Sequence, residues 1–169
     1  MKKSKLIYGP DPIFKKTSSK VECFDEENKA LCQELTHLLY QENAVGVAAP
    51  MIGALKRIIA YDLQENGNNP VVMINPEITK NSETTQSFSE GSICFPGVSA
   101  DISRPDAITV RYQDIDGSEH SLDAEGWLAT VIQHEMDYLD GKTIFDYLSP
   151  MKRKMLFKKT KKHQKENNL

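Results

Sequence analysis

Gln133-His134-Glu135-Met136-Asp137-Tyr138 puts an imidazole, two carboxylates and a phenol within six consecutive residues. If the segment is helical, positions 134 and 138 are four apart and share a face. Two histidines at that spacing, with a glutamate after the first, bind zinc and handle the proton of its bound water. Here Tyr138 stands where the second imidazole would be. Taken alone, the segment therefore reads better as a core-facing histidine beside a surface glutamate.

The neighbouring pattern makes this segment a helix. Glu125 to about Leu139 is apolar enough to be central, and Gly141 follows as the stop signal. An earlier helix is expected from an Asp25 cap to about Gln41, with Leu31, Leu35, Leu38 and Leu39 on one face. Asp11-Pro12 begins a turn. Strands are expected at Arg57–Leu63, at Val71–Ile74 ending on Asn75-Pro76, and at Ala107–Tyr112, which returns through Asp116-Gly117 to Glu119–Ala124. Ser149-Pro150 caps a last helix. Strands succeed one another as hairpins rather than alternating with helices, so the fold class is α+β. No repeat or linker divides residues 1–169, and one domain with a basic C-terminal helix or tail at about 150–169 is expected.

Charge is unevenly spread. Residues 151–169 carry eight Lys/Arg and one acid, against totals of 21 basic and 24 acidic side chains. The tail is near +7 and residues 1–150 near −10. Lys152, Arg153, Lys154, Lys158, Lys159, Lys161, Lys162 and Lys165 point to an anionic partner such as nucleic acid, or else to a frayed, solubilising helix. No apolar run is long enough to span a membrane, and the lysine-bearing start has no apolar h-region behind it. Cys23, Cys32 and Cys94 form neither a CxxC pair nor a disulfide framework, which favours a reducing, cytoplasmic setting. Trp127 reads as core, His120 as a surface hairpin residue and His163 as part of the basic tail.

Three separated segments together resemble the signature motifs of peptide deformylases. They are Gly46-Val47-Ala48-Ala49-Pro50-Met51-Ile52-Gly53, Glu90-Gly91-Ser92-Ile93-Cys94-Phe95-Pro96, and Gln133 to Gly141. Asp11-Pro12, Ile74-Asn75-Pro76 and Arg104 agree with the flanking pattern. The resemblance implies antiparallel sheets packed around the helix that carries the third motif. It also implies metal-dependent hydrolysis of the N-formyl group of N-formylmethionyl nascent peptides. In that family a cysteine and two histidines hold iron(II), with zinc or nickel as substitutes, and a glutamate activates the bound water.

Carried over position by position, His134 is a metal ligand and Glu135 the catalytic base. Ser92 and Tyr138 occupy the other two ligand positions. Ile93 supplies a backbone N–H for the oxyanion, Gly46 a close backbone approach to substrate, and Met51 stands where a glutamine amide is usual. Ala44 replaces the first glycine of the first motif. Glu90 and Arg104 are expected to form a structural pair. Serine is a poor ligand for these metals, and a phenol of pKa about 10 is an uncommon one. Cys94 is a substitute ligand only if its segment slides, since two extended residues span about 7 Å. The expectation is a weak or absent metal and lost or strongly impaired deformylase activity. Binding of formylmethionyl peptide, and of the ribosome through Lys152–Lys165, is expected to be retained. The alternative is an active hydrolase on formyl peptides or related N-acyl groups that uses atypical ligands.

Overall fold

The computed structural model describes residues 5–169; Met1–Ser4, part of the lysine-bearing start, lie outside the described residues. Asp11 caps a short 3-10 turn, Pro12–Lys15, by accepting from the Ile13 N–H at 2.9 Å. Asp25 in turn accepts from the Asn28 N–H at 3.0 Å and starts α1 (Glu26–Gln41). Leu35, Leu38 and Leu39 are fully buried on its inner face, with Leu31 packed against them.

One antiparallel sheet runs in the order β1 (Gly46–Ala48), β2 (Ile58–Tyr61), β3 (Val71–Asn81), β6 (Ala107–Gln113) and β7 (Glu119–Glu125). β4 (Thr85–Ser92) and β5 (Phe95–Pro105) form a separate two-stranded ladder. The helix α2 (Gly126–Leu139) touches strands of both sheets and is buried on nearly every side. Gly141, at φ 70°, turns the chain out of α2; a Cβ there would lie 2.7 Å from the Lys15 backbone.

Three expectations need correction. β3 does not end at Asn75-Pro76 but bulges there and runs on to Asn81. Asn75 takes a positive φ of 53°, and its side chain bonds both Val21 N and Val21 O at 2.8 Å. At a bulge the missing proline N–H is no loss, so the pair kinks the strand without ending it. The β4–β5 ladder was not anticipated: β4 is largely polar, although Val98, Ala100, Ile102 and Arg104 alternate inward along β5. The basic tail is not frayed. It forms α3 (Pro150–Glu166), capped by Ser149 and seated on β5 through buried Leu156 and Thr160. Thr160 Oγ1 donates to Pro96 O at 2.8 Å, Gln164 Nε2 to Gly9 O at 2.7 Å, and Phe157 stacks on Phe145 at 4.1 Å. Among the described residues no helix is long and apolar enough to cross a membrane.

Candidate active site

Where α2 passes between the sheets, a cleft of about 450 Å³ opens against β1, the end of β4 and the turn that follows it. His134, Glu135, Ser92, Ile93, Gly46 and Met51 all line it. The three sequence segments therefore converge, although they lie far apart in the chain. Its wall is mostly apolar, with Val131, Pro96 and Trp127 among the lining groups. Trp127 is 38% exposed at the rim and packs edge-on against Phe88, so it belongs to the cleft wall and not to the core.

A buried helix with polar residues at its centre must give them partners. Gln133 Nε2 donates to Pro105 O and Ala129 O, both at 3.0 Å. His134 Nδ1–H donates to Glu90 Oε1 at 2.8 Å. Glu90 also receives Arg104 Nε and Nη2 at 2.8 and 2.9 Å, the forked geometry that makes arginine–carboxylate pairs strong. Arg104 Nη1 then reaches Asp137 Oδ2 at 2.9 Å, and the Tyr147 hydroxyl donates to the same oxygen at 2.8 Å. The result is a chain, Asp137–Arg104–Glu90–His134, buried except at its half-buried Asp137 end. Burial pushes the Glu90 carboxyl up, but the hydrogen bonds from His134 and Arg104 more than reverse this and leave it below its ordinary value. Burial likewise opposes charge on His134, yet the bond to Glu90 and the negative charges of Glu135 and Glu90 leave its pKa raised. The expected Glu90–Arg104 pair is thus half of a longer network. Asp137 and Tyr147 were missed. Asp137 sits three residues past His134 on the same face, a signal that was there to use.

Glu135 differs from its neighbour. It is 4% exposed rather than on the surface, and its Oε2 has no hydrogen-bond partner among the described residues. Burial pushes its carboxyl up to about 7. Its Oε1 lies 4.0 Å from His134 Nε2. Gly46 makes room for it, since a Cβ at that position would stand 2.7 Å from Glu135 Oε1. Across from His134, Ser92 Oγ and Tyr138 OH are hydrogen-bonded to each other at 2.6 Å, and the Cys94 N–H donates to Ser92 Oγ at 3.2 Å. The Tyr138 ring is buried edge-on against Phe14 at 5.4 Å.

A family model described as polypeptide deformylase matches residues 3–154. The chain belongs to the polypeptide deformylase family. A protein of Rickettsia conorii called "Peptide deformylase-like" is 48% identical over 161 residues, which covers 95% of this chain and 88% of that one. "Peptide deformylase 2" of Xanthomonas axonopodis pv. citri is 42% identical over 163 residues, covering 95% of each. The crystal structure of a peptide deformylase from Legionella pneumophila superposes with a TM-score of 0.92 at 34% identity, covering 97% of this chain and 96% of that one. The antiparallel sheets, the central α2 and the C-terminal helix are this fold.

Deformylases use a divalent metal, and the donors here do not match the thiolate and two imidazoles expected for one. His134 presents a single imidazole. Ser92 and Tyr138 are engaged with each other, and burial holds the Tyr138 phenol well above its usual pKa, hence neutral. Cys94 is fully buried, absent from the cleft wall, and its thiol is also pushed well up by burial. Among the described residues no three His, Cys, Asp or Glu side chains are grouped to hold a metal ion. Met51, fully buried at the glutamine position, has no amide with which to stabilise an oxyanion.

Proposed function

We propose that this deformylase relative binds the N-terminal segment of formylmethionyl peptides in the cleft, works in the cytoplasm and has little or no deformylase activity. The observation that carries this reading is the 2.6 Å hydrogen bond between Ser92 Oγ and Tyr138 OH, which joins two ligand positions to each other and leaves His134 as the lone imidazole. Loss of one oxyanion donor alone slows related hydrolases by about 10²–10³, and the donor position here is Met51. In this reading Gly46 and Ile93 supply backbone to the peptide, Glu135 keeps the position of the base, and iron, zinc or nickel is held weakly or not at all. Turnover of a formylmethionyl tripeptide, measured beside elemental analysis of anaerobically purified protein, tests it. Metal-free protein without turnover is expected; a metal-loaded chain with Glu135-dependent turnover overturns it.

One observation favours an active hydrolase on formyl or related N-acyl groups. Burial brings the Glu135 carboxyl to about 7, where a proton is readily taken up and released. Activity lost in Glu135→Ala supports that reading, and activity unchanged in the variant identifies a contaminant.

The exposed lysines of α3, Lys152, Lys154, Lys158, Lys159, Lys161, Lys162 and Lys165, support docking on ribosomal RNA. Because Leu156 and Thr160 anchor this helix, charge neutralisation is a cleaner test than deletion. Co-sedimentation with ribosomes is expected to fall with salt and to vanish when Lys158, Lys159, Lys161 and Lys162 become glutamine. Equal binding by that variant ends the proposal.

A further inference from the structure

Charge divides the chain, near −10 over residues 1–150 and near +7 over residues 151–169. Each part has one surface feature that joins its charge to exposed apolar area. The first is a groove of about 440 Å³ along one flank of α3, lined by Pro150, Arg153, Lys154, Phe157, Lys158 and Lys161. Those positions recur at three- and four-residue steps and so form one stripe of the helix. Its floor is half-buried Phe157, whose ring stacks on Phe145 at 4.1 Å. Arg153 Nε donates to Phe145 O at 2.9 Å. Asp11 and Asp146 line a smaller cavity with Arg153 and Phe157. Even so, among the described residues none of Arg153, Lys154, Lys158 and Lys161 is in an ion pair. The second feature is the β6–β7 turn. Ile115, 43% exposed, stands there between Asp114 and Asp116, and Glu119 follows at the start of β7. Asp114 Oδ1 accepts from the N–H groups of Asp116 and Ser118 at 2.9 and 3.0 Å, and the Gly117 N–H donates to Asp114 O at 3.0 Å, so the turn is fixed. Lys29 lies 3.5 Å from Asp116 but also 3.9 Å from Glu26, which leaves this surface acidic.

We propose that the β6–β7 turn of one copy of this chain docks in the α3 groove of a second copy, with Ile115 against Phe157 and with Asp116 and Glu119 among Lys154, Lys158 and Lys161. Docking takes an exposed isoleucine out of water, and each side supplies the charge that the other lacks. The fixed turn keeps the ordering cost of the contact low. The turn lines no part of the groove of its own chain, so the contact takes two copies. Pairing of α3 with another α3 through exposed Met151 and Met155 is disfavoured, because it brings lysines face to face. Turn and groove are different surfaces, so every docked copy keeps one of them free and assembly runs head to tail. One apolar anchor ringed by charge makes a small contact, with a dissociation constant on the order of 10–100 µM. The contact does not involve the cleft, and RNA held by the same lysines competes with it.

The test is sedimentation velocity of the full chain, free of nucleic acid, from about 5 to about 500 µM. At about 20 mM salt the average mass is expected to rise with concentration above that of the monomer, and at about 500 mM salt to fall back towards it. Ile115→Ser removes the anchor and leaves the groove intact. Lys154→Glu with Lys158→Glu reverses the rim and leaves the turn intact. Each variant, shown by a thermal melt to be folded, is expected to weaken self-association at least about tenfold. Mixed in equal amounts, the two variants are expected to form a one-to-one dimer and nothing larger, since only one turn and one groove remain to meet. A wild-type chain that is monomeric throughout the range overturns the proposal and leaves the groove to RNA or to an acidic segment of another protein. Self-association that survives either variant, or a mixture that stays monomeric, overturns it as well.

Discussion

The double substitution Ser92→Cys with Tyr138→His puts a thiolate and a second imidazole on the two positions flanking His134. Without metal it removes a buried phenol ring that packs on Phe14 at 5.4 Å and breaks the Ser92–Tyr138 hydrogen bond. Shrinking that ring costs about 2–3 kcal/mol, less than the 3–5 of full aromatic truncation. Loss of the hydrogen bond adds about 1 kcal/mol. At roughly 2–4 °C per kcal/mol for a chain of this size, the metal-free variant should melt about 10 °C below wild type. A ligand at a thousand times its dissociation constant returns about 4 kcal/mol. Saturating zinc should therefore bring the variant back close to the wild-type melting temperature, EDTA should reverse the shift, and wild type should barely respond to either. Scanning calorimetry with and without zinc, paired with elemental analysis, makes the comparison. About one tightly held metal per wild-type chain refutes the reasoning. So does a folded double variant that takes up none, because the three positions would then not define a metal cage.

Three further outcomes follow from the same geometry. Arg104→Met leaves Glu90 and Asp137 without their cation and should destabilise the chain by about 3–5 kcal/mol in urea unfolding. By contrast Arg111→Ala, which loses only the exposed pair with Glu77, should cost no more than about 1 kcal/mol. Glu135 has a folded pKa of about 7, above the ordinary value of 4.5, so the native state holds its proton more tightly than the unfolded chain does. Its contribution to stability is complete below pH 4.5 and lost as the pH rises to about 7, a span of about 3 kcal/mol that Glu135→Gln should remove from a urea series across those pH values. Gly46→Ala drives a Cβ to 2.7 Å from Glu135 Oε1 and should cost about 1–3 kcal/mol. A double-mutant cycle with Glu135→Ala should show the two coupled by at least about 0.5 kcal/mol, whereas simple additivity contradicts the contact.

The helices were legible because their signals are local. Asp25, Gly141 and Ser149-Pro150 mark ends with groups that satisfy backbone polar atoms within a few residues, and each does so here. The cleft was legible because three motifs, each short and ordered, name its walls. Less legible was whatever depended on partners distant in sequence. Asn75-Pro76 looks like a strand end until Val21 and Gln113 are seen to hold the Asn75 side chain. β4 has too few apolar residues to announce itself and is defined by pairing with β5. Trp127 reads as core by residue type, yet as the second residue of α2 it stands at the edge of the cleft, 38% exposed and edge-on against Phe88. The long run of lysines in α3 hid the few residues, Leu156, Phe157 and Thr160, that fasten it to β5.

The two polar residues at the centre of α2 carry different weight as evidence of function. His134 is explained by stability: it donates to Glu90, whose forked pair with Arg104 is the buried ion pair, and removing Arg104 or Glu90 would strand a buried charge. Its presence would be expected in a chain that bound nothing. Glu135 is the opposite case. Its Oε2 is buried without a partner among the described residues, its carboxyl is pushed up to about 7 by burial, and it stands against a glycine where a Cβ would crowd it. Glutamine at 135 would keep the volume and lose the charge penalty, and an apolar residue would also remove the unsatisfied oxygen. A buried carboxyl that no described residue completes points to a group that enters the cleft. The altered ligand positions thus argue against metal chemistry without arguing against a ligand, and Glu135 rather than His134 is the residue on which a binding or catalytic role is to be tested.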